Sequence, residues 1–286
     1  MSLPEPCVGK DEADTMESRK FTVEEIVKMP LQTDAINRAV VLVAELLSQT
    51  RSQLDKVPDP TRRIALASFF AYRVASIFEA VRLLADRGQY DECMTLSRVL
   101  IESTTTYAYI NKKPDERVDS YIRYQALRTR RYLELADSMK KLMPFNFEPI
   151  PVEQRRSIEE PCRDMRSQGD DERIWRQIKV EAMASESGLN WLYLFYRLAS
   201  DFVHGNMIAF VSGDAGPRDP HPDLVNMALT AACSGALVCA MESLDAIGAG
   251  PEAVVGVLLN LVDAISTMVG VPVQELVQVF QGMGKP

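Results

Sequence analysis

A polar stripe of four side chains at helical spacing is the feature of this sequence best suited to chemistry. Steps of four, three and four residues place these side chains on one face of a predicted helix over 189–204; they are Tyr193, Arg197, Ser200 and His204. A phenol, a guanidinium, a hydroxyl and an imidazole on one face could bind a phosphate and move protons. The same side chains also suit the polar side of an ordinary amphipathic helix.

Two further residues of this helix belong to the candidate site. Asp201 lies beside the stripe, within reach of Arg197 across one helical turn. Tyr196 belongs to a neighbouring, mainly apolar stripe. Both are therefore candidates for holding a ligand near the stripe.

A second helix, predicted over 91–111, carries two charges in an apolar setting. Arg98 and Glu102 are its only charged residues between Cys93 and Asn111, and apolar side chains surround nearly the whole circumference, so we expect this helix to be central. Four residues apart, the two charges share a face and can form an ion pair. An unpaired buried charge is costly, which predicts either a structural buried pair or a role in a ligand or catalytic pocket.

The helical period recurs along nearly the whole chain, and no run of alternating β-branched residues indicates a strand. The sequence therefore predicts an all-α fold, a multi-helix antiparallel bundle of about nine to eleven helices with no sheet. The polar, aperiodic residues 1–20 predict a disordered N-terminal tail. Residues 21–286 are predicted to form a single all-helical domain, with a core over 33–210 and a C-terminal helical layer over 222–283.

Charge is distributed unevenly along the 286 residues. The formal net charge of −8 argues against a protein that coats duplex nucleic acid. Residues 112–180, however, carry 16 basic against 13 acidic side chains, which indicates either a local positive face or a solvated helix surface with ion pairs. In this region Tyr121 and Tyr124 could stack nucleic-acid bases or anchor their helix in the core.

Metal and cofactor motifs are absent from the sequence. The five cysteines form no CxxC pair and only two histidines are present, so no Cys/His zinc site can be assembled. The loop over 213–216 lacks the lysine of a phosphate-binding P-loop. We therefore predict no metal and no cofactor. The acidic N-terminal segment differs from a signal peptide, and we expect a cytoplasmic protein.

One uncharged stretch, Leu224–Met241, is long enough to be considered as a membrane span. Its polar residues and a ridge of small side chains favour a soluble core or a dimer interface, so we expect no membrane contact. The ridge repeats every four residues and consists of Ala228, Ala232, Ala236 and Ala240.

The two candidate helices together resemble a known group of proteins. Ser97-Arg98 and Glu102-Ser103, followed by Tyr196-Arg197-x-x-Ser200-x-x-x-His204-Gly205, resemble the motifs of a bacterial all-helical family catalogued as a domain of unknown function, over roughly residues 35–210. Arg197 and His204 are also similar, more distantly, to the R-x4–6-H motif of HEPN (higher eukaryotes and prokaryotes nucleotide-binding) domains.

The HEPN similarity implies a metal-independent endoribonuclease of the toxin or phage-defence type, which acts on RNA as a homodimer with the motif at a shared cleft. It implies that His204 is the general acid/base near the ribose 2′-hydroxyl and that Arg197 stabilises the pentacovalent phosphate. Leu198 departs from the pattern, since HEPN nucleases commonly have a polar residue directly after the arginine.

Two hypotheses follow from these residues. In the first the protein is this ribonuclease, with supporting or ligand-binding roles for Arg98, Glu102, Ser200, Asp201, Tyr196 and Tyr193. In the second it is a non-enzymatic helical scaffold, or a module that binds a ligand or a partner, and the Arg98–Glu102 pair is structural.

Overall fold

The fold is described by a computed structural model over residues 33–142, 175–203 and 222–249 and at residues 153, 156, 263 and 266. Every element in these ranges is helical, without a strand, so the all-α prediction is confirmed for the described part. Seven helices have defined bounds: α1 (Thr33–Leu54), α2 (Arg62–Asp86), α3 (Tyr90–Lys112), α4 (Pro114–Leu142), α5 (Val180–Glu186), α6 (Asn190–Val203) and α7 (Pro222–Ala246).

An eighth helical segment covers 175–177. The described ranges thus contain fewer helices than the nine to eleven predicted. Helical spacing also predicts helices over 171–184 and 272–282. Within the first range Ile178 and Lys179 are not helical, and α5 begins only after them. The tail predicted over 1–20 and the helix predicted over 272–282 lie outside the described residues, and the domain boundaries remain predictions.

Local signals set the ends of the early helices. The Thr61 hydroxyl accepts a hydrogen bond from the Ile64 amide at 3.4 Å and caps the start of α2. At the other end Gly88 adopts φ +69°, and the next amide, that of Gln89, donates to the Leu84 carbonyl at 2.9 Å. A glycine is favoured here because a side chain disfavours positive φ. The chain therefore turns sharply from α2 into α3.

Helix α3 is central, as predicted, and contacts α2, α4, α5, α6 and α7. Its pairing with α2 is antiparallel, because Arg73 lies beside Ser103 while the Val81 carbonyl lies beside Cys93 near the other end. This pairing follows from the short connection between the two helices.

The pairing of α3 with α7 is parallel. Three side chains of α3, spaced seven residues apart, donate hydrogen bonds to backbone carbonyls of α7. The three carbonyls are also spaced seven residues apart. The pairs are Ser97 with Ala228 at 3.0 Å, Thr104 with Gly235 at 3.1 Å and Asn111 with Glu242 at 3.2 Å. The separation in sequence is 131 residues in every pair, so both helices run in the same direction. An antiparallel bundle throughout is therefore wrong for this pair.

The alanine ridge of α7 packs inside the chain's own core. Ala228, Ala232, Ala236 and Ala240 are all 0% exposed, and α7 contacts α1, α2 and α3, so the ridge is internal rather than a free seam. Helix α7, assigned by sequence to a C-terminal layer, thus lies at the centre of the described helices. By length and composition alone both α2 and α7 could cross a membrane, but 89% of the apolar window in α7 is buried, as in core helices of soluble proteins.

Candidate functional site

A cleft of about 400 Å³ opens between α2, α3, α4 and the chain over 175–183. One wall is aromatic and is formed by Phe69, Phe70, Tyr121, Tyr124, Tyr132 and Trp175. The polar groups that line the cleft are Arg73, Glu102, Ser103, Thr106, Gln125, Arg128 and Thr129. Aromatic walls with a few polar groups are typical of ligand-binding clefts, which usually measure about 300–1,000 Å³.

Trp175 organises the aromatic wall. Its indole N–H donates to the Ser120 hydroxyl at 2.8 Å, which fixes the ring against α4. The Tyr121 ring meets it edge to face with centroids 5.1 Å apart, and the Tyr124 ring stacks on it at 6.2 Å with an interplanar angle of 22°. Such offset and edge-to-face contacts are the preferred aromatic arrangements, so the rings of the wall support one another.

Two arginines face the cleft without a carboxylate partner. Arg73 Nε donates to the Ser103 hydroxyl at 3.1 Å, and Arg128 Nη2 donates to the Tyr132 hydroxyl at 3.4 Å. Among the described residues neither forms an ion pair. Other arginines in these ranges do pair with carboxylates: Arg62, Arg63, Arg82, Arg117 and Arg130.

Both of these positive charges lie near one phenol. Burial raises the pKa of Tyr121 to about 12, while a hydrogen bond with Gln125 and the charges of Arg73 and Arg128 act in the opposite direction. Both guanidinium groups line the same cleft as Tyr121. The cleft therefore combines two positive charges with a neutral phenol.

The predicted buried ion pair between Arg98 and Glu102 does not form. Glu102 is exposed at the cleft, whereas the Arg98 guanidinium turns to α6, where Nη2 donates to the Tyr196 hydroxyl at 3.3 Å. The guanidinium carbon lies 5.2 Å from the centroid of the Tyr196 ring, within cation–π range. An aromatic ring thus compensates the partly buried charge in place of the carboxylate.

Helix α6 holds most of the predicted polar stripe. The rings of Tyr193 and Tyr196 stack with centroids 5.8 Å apart, and the Ser200 hydroxyl donates to the Tyr196 carbonyl at 2.8 Å. Arg197 is exposed. The structure therefore brings Arg98 to Tyr196 and leaves Glu102 in the cleft. The side chain of Asp201 and all of His204 lie outside the described residues, so their positions remain predictions.

The described ranges contain no group of three or more His, Cys, Asp or Glu side chains that could hold a metal ion. Three cysteines in these ranges are free and buried: Cys93, Cys233 and Cys239. Burial raises the pKa of Cys93 to about 11 and that of Cys239 to about 12, and it raises the pKa of Cys233 as well. Because the thiolate is the reactive form, these thiols do not suit nucleophilic chemistry.

The sequence prediction missed most of the cleft. Arg73 and Trp175 had no local signal, since neither forms a motif with its neighbours. Tyr121 and Tyr124 were recognised as residues that either stack bases or anchor a helix. In the structure Tyr121 is 7% exposed and packs on Phe70, with centroids 5.8 Å apart, and it also lines the cleft. It thus anchors α4 and forms the wall.

Fold and site together define an all-helical protein with a polar, aromatic-walled cleft beside its central helix. The chain belongs to the family of unknown function DUF5677, which matches residues 64–217. The match covers just over half of the chain and includes all the predicted site residues. The resemblance to a family of unknown function agrees with this match, although the expected limits were 35–210. No curated protein and no solved structure matches the chain.

Proposed function

We propose that this protein is a binding module for a small anionic ligand that carries a planar ring, and that the cleft between α2, α3 and α4 is its binding site. The observation that carries this proposal is the pair of guanidinium groups, Arg73 and Arg128, at an aromatic wall and without a carboxylate partner among the described residues.

A guanidinium with no counter-charge retains its capacity to donate two parallel hydrogen bonds to a phosphate, sulfonate or carboxylate. Both arginines already have one neutral oxygen partner, which orients them at little electrostatic cost. The exposed rings of Phe69 and Tyr132, which line the same cleft, offer an apolar surface to the rest of the ligand.

A fluorescent probe tests this function directly. The dye 1-anilinonaphthalene-8-sulfonate combines fused rings with an anion, and its emission rises when it leaves water. We expect saturable binding with one dye per chain. In a Trp191→Phe background, where Trp175 is the one remaining tryptophan, we expect energy transfer from Trp175 to the dye. Arg128→Ala should weaken binding about tenfold, since a hydrogen bond to a charged group contributes about 1.5–3 kcal/mol.

Arg38→Ala is the matched control, because Arg38 is also an exposed helical arginine but lies on α1, away from the cleft. It makes the same change in net charge and should leave dye binding unchanged. If Arg128→Ala and Arg38→Ala weakened dye binding equally, the effect would come from net charge alone and the proposal would be contradicted. A folded wild type that does not bind the dye would also contradict it.

A second function is favoured by one contact between helices. Arg98 of α3 holds Tyr196, the residue directly before Arg197, so α3 supports the part of α6 from which the HEPN-like motif continues to His204. In this second proposal the protein is a cytoplasmic, homodimeric, metal-independent endoribonuclease of bacterial origin. His204 is its general acid/base and Arg197 stabilises the phosphate.

Cleavage of RNA in the presence of a chelator tests the nuclease. We expect cleavage by the wild type, and its loss in His204→Ala and in Arg197→Ala, while the control Arg38→Ala retains it. Light scattering of the same samples measures the oligomeric state. Cleavage that survives His204→Ala, or a wild type that leaves RNA intact, would overturn the nuclease and leave the binding module in place.

A further inference from the structure

We infer that the ligand of the cleft is a ribonucleotide, free or as one unit of an RNA chain. This inference rests on the proposed binding function and adds the class of ligand. It depends on three groups that line the same cleft on three different helices: Arg73 on α2, Glu102 on α3 and Arg128 on α4.

The first step is the phosphate. Arg73 of α2 and Arg128 of α4 line the same cleft of about 400 Å³, so an anion held in that cleft meets both positive charges. Each guanidinium has five N–H donors, so N–H groups remain beyond the hydrogen bond that the described residues show to Ser103 or Tyr132. A phosphate, with several acceptor oxygens, satisfies two such donors at once.

The second step is the base. The exposed part of the aromatic wall includes Tyr132, which is 61% exposed, and Phe69, which is 50% exposed. These two rings form an exposed apolar surface at the cleft that a flat ring can cover. A nucleobase has a flat face of matching size, and stacking on an aromatic side chain does not depend on which base is present.

The third step is the sugar. Glu102 is exposed in the cleft wall and forms no ion pair with either cleft arginine, so its carboxylate oxygens remain hydrogen-bond acceptors. A carboxylate opposes a purely anionic ligand, because like charges repel. It becomes favourable when the ligand also presents hydroxyl donors, as the ribose does between base and phosphate. Glu102 therefore adds selectivity for a sugar that retains its hydroxyl groups.

Comparison of two ligands separates the hydroxyl contact from charge. Binding of uridine 5′-monophosphate and of its 2′,3′-dideoxy analogue is measured through the fluorescence of Trp175 in a Trp191→Phe background, because the chain has two tryptophans. We expect the ribonucleotide to bind about tenfold more tightly, equivalent to about 1.4 kcal/mol. In Glu102→Ala this ratio should fall to about one, even if loss of the negative charge strengthens the binding of both ligands. Glu92→Ala, at an exposed carboxylate of the same helix, should preserve the ratio.

Further binding experiments identify the source of the ligand and show which of the two proposals fails. A short oligouridylate that competes with the mononucleotide more strongly than its monomers do indicates RNA, and equal competition indicates free nucleotide. Inorganic phosphate that binds as tightly as the nucleotide would contradict the ring contact. If the dye binds but no nucleotide does, the ligand class is wrong while the binding function stands. If neither binds, both fail.

Discussion

Leu100 packs against the backbone of Gly235, so closely that a methyl group added at Gly235 would lie 2.5 Å from the Leu100 Cδ2 atom. The glycine therefore permits the approach of α3 to α7. The parallel hydrogen bonds between these helices depend on that approach, because Thr104 reaches the Gly235 carbonyl itself. Small residues are the usual means by which two helix backbones come close together.

Gly235→Ala should destabilise the fold by about 1–3 kcal/mol, as overpacked core substitutions do. Thermal unfolding followed by circular dichroism should show a loss of roughly 2–4 °C for each kcal/mol. The control is the same substitution in a Leu100→Ala background. There the Leu100 Cδ2 atom is absent, so Gly235→Ala should cost less stability than in the wild type. An equal penalty in both backgrounds would contradict the contact.

Thr104→Val tests the hydrogen bonds between α3 and α7. The two side chains have nearly the same shape, so the expected loss of about 1 kcal/mol reflects one buried hydrogen bond. Thr95 gives the matched control, since its hydroxyl donates at 2.9 Å to a carbonyl of its own helix, that of Asp91. Thr95→Val should change the free energy of unfolding by less than about 0.5 kcal/mol. Denaturant titrations measure both values.

Arg98→Ala should destabilise the protein, because the guanidinium packs over the Tyr196 ring and a cation–π contact contributes about 1–2 kcal/mol when partly desolvated. Glu102→Ala should have an effect below about 0.5 kcal/mol, because Glu102 is exposed. The two melting temperatures distinguish this arrangement from an Arg98–Glu102 ion pair, for which both substitutions would be similarly harmful.

The stability of the protein should depend on the ionisation of Glu242. Burial raises the pKa of this carboxyl above its ordinary value, although Asn111 donates to it at 2.9 Å. A raised folded-state pKa means that stability is fully present below the unfolded-state pKa and is lost as the pH rises through the folded-state pKa. Glu242→Gln should therefore gain stability relative to the wild type as the pH rises above the ordinary glutamate pKa of 4.5.

Glu79→Gln is the control of opposite sign for this series. A hydrogen bond from Arg82 lowers the pKa of Glu79. The stability of the wild type relative to Glu79→Gln should therefore increase as the pH rises. The effect should be small, because both side chains are considerably exposed and solvent screens the pair. Urea titrations at several pH values measure the free energy of unfolding of each variant relative to the wild type. If both differences changed with pH in the same direction, the opposite pKa shifts of Glu242 and Glu79 would be contradicted.

Local signals in the sequence predicted the local features of the fold. The all-helical character of the described ranges and the central position of the helix around Arg98 were both readable, because each depends on residues close together in sequence. The parallel pairing of α3 with α7 was not readable. Its partners are 131 residues apart, and short connections, the usual guide to helix direction, do not join them.

The candidate site was predicted less well for a related reason. Helical spacing places Arg98 and Glu102 on one face, but it does not decide where each side chain turns, and an aromatic ring on α6 competes for the guanidinium. The cleft draws Arg73, Arg128 and Trp175 from three separate segments. No spacing rule connects such residues, so only the tertiary structure brings them together.

The separation of α3 from α7 in the sequence also delays their pairing during synthesis on the ribosome. The Ser97 and Thr104 hydroxyls emerge 131 residues before the carbonyls that accept their hydrogen bonds, a delay of roughly 7–26 s at ordinary elongation rates. During that interval the nascent chain presents an unfinished apolar flank, to which chaperones have access. The matched family segment ends at residue 217, before α7 begins, so a polypeptide cut there would carry that flank permanently.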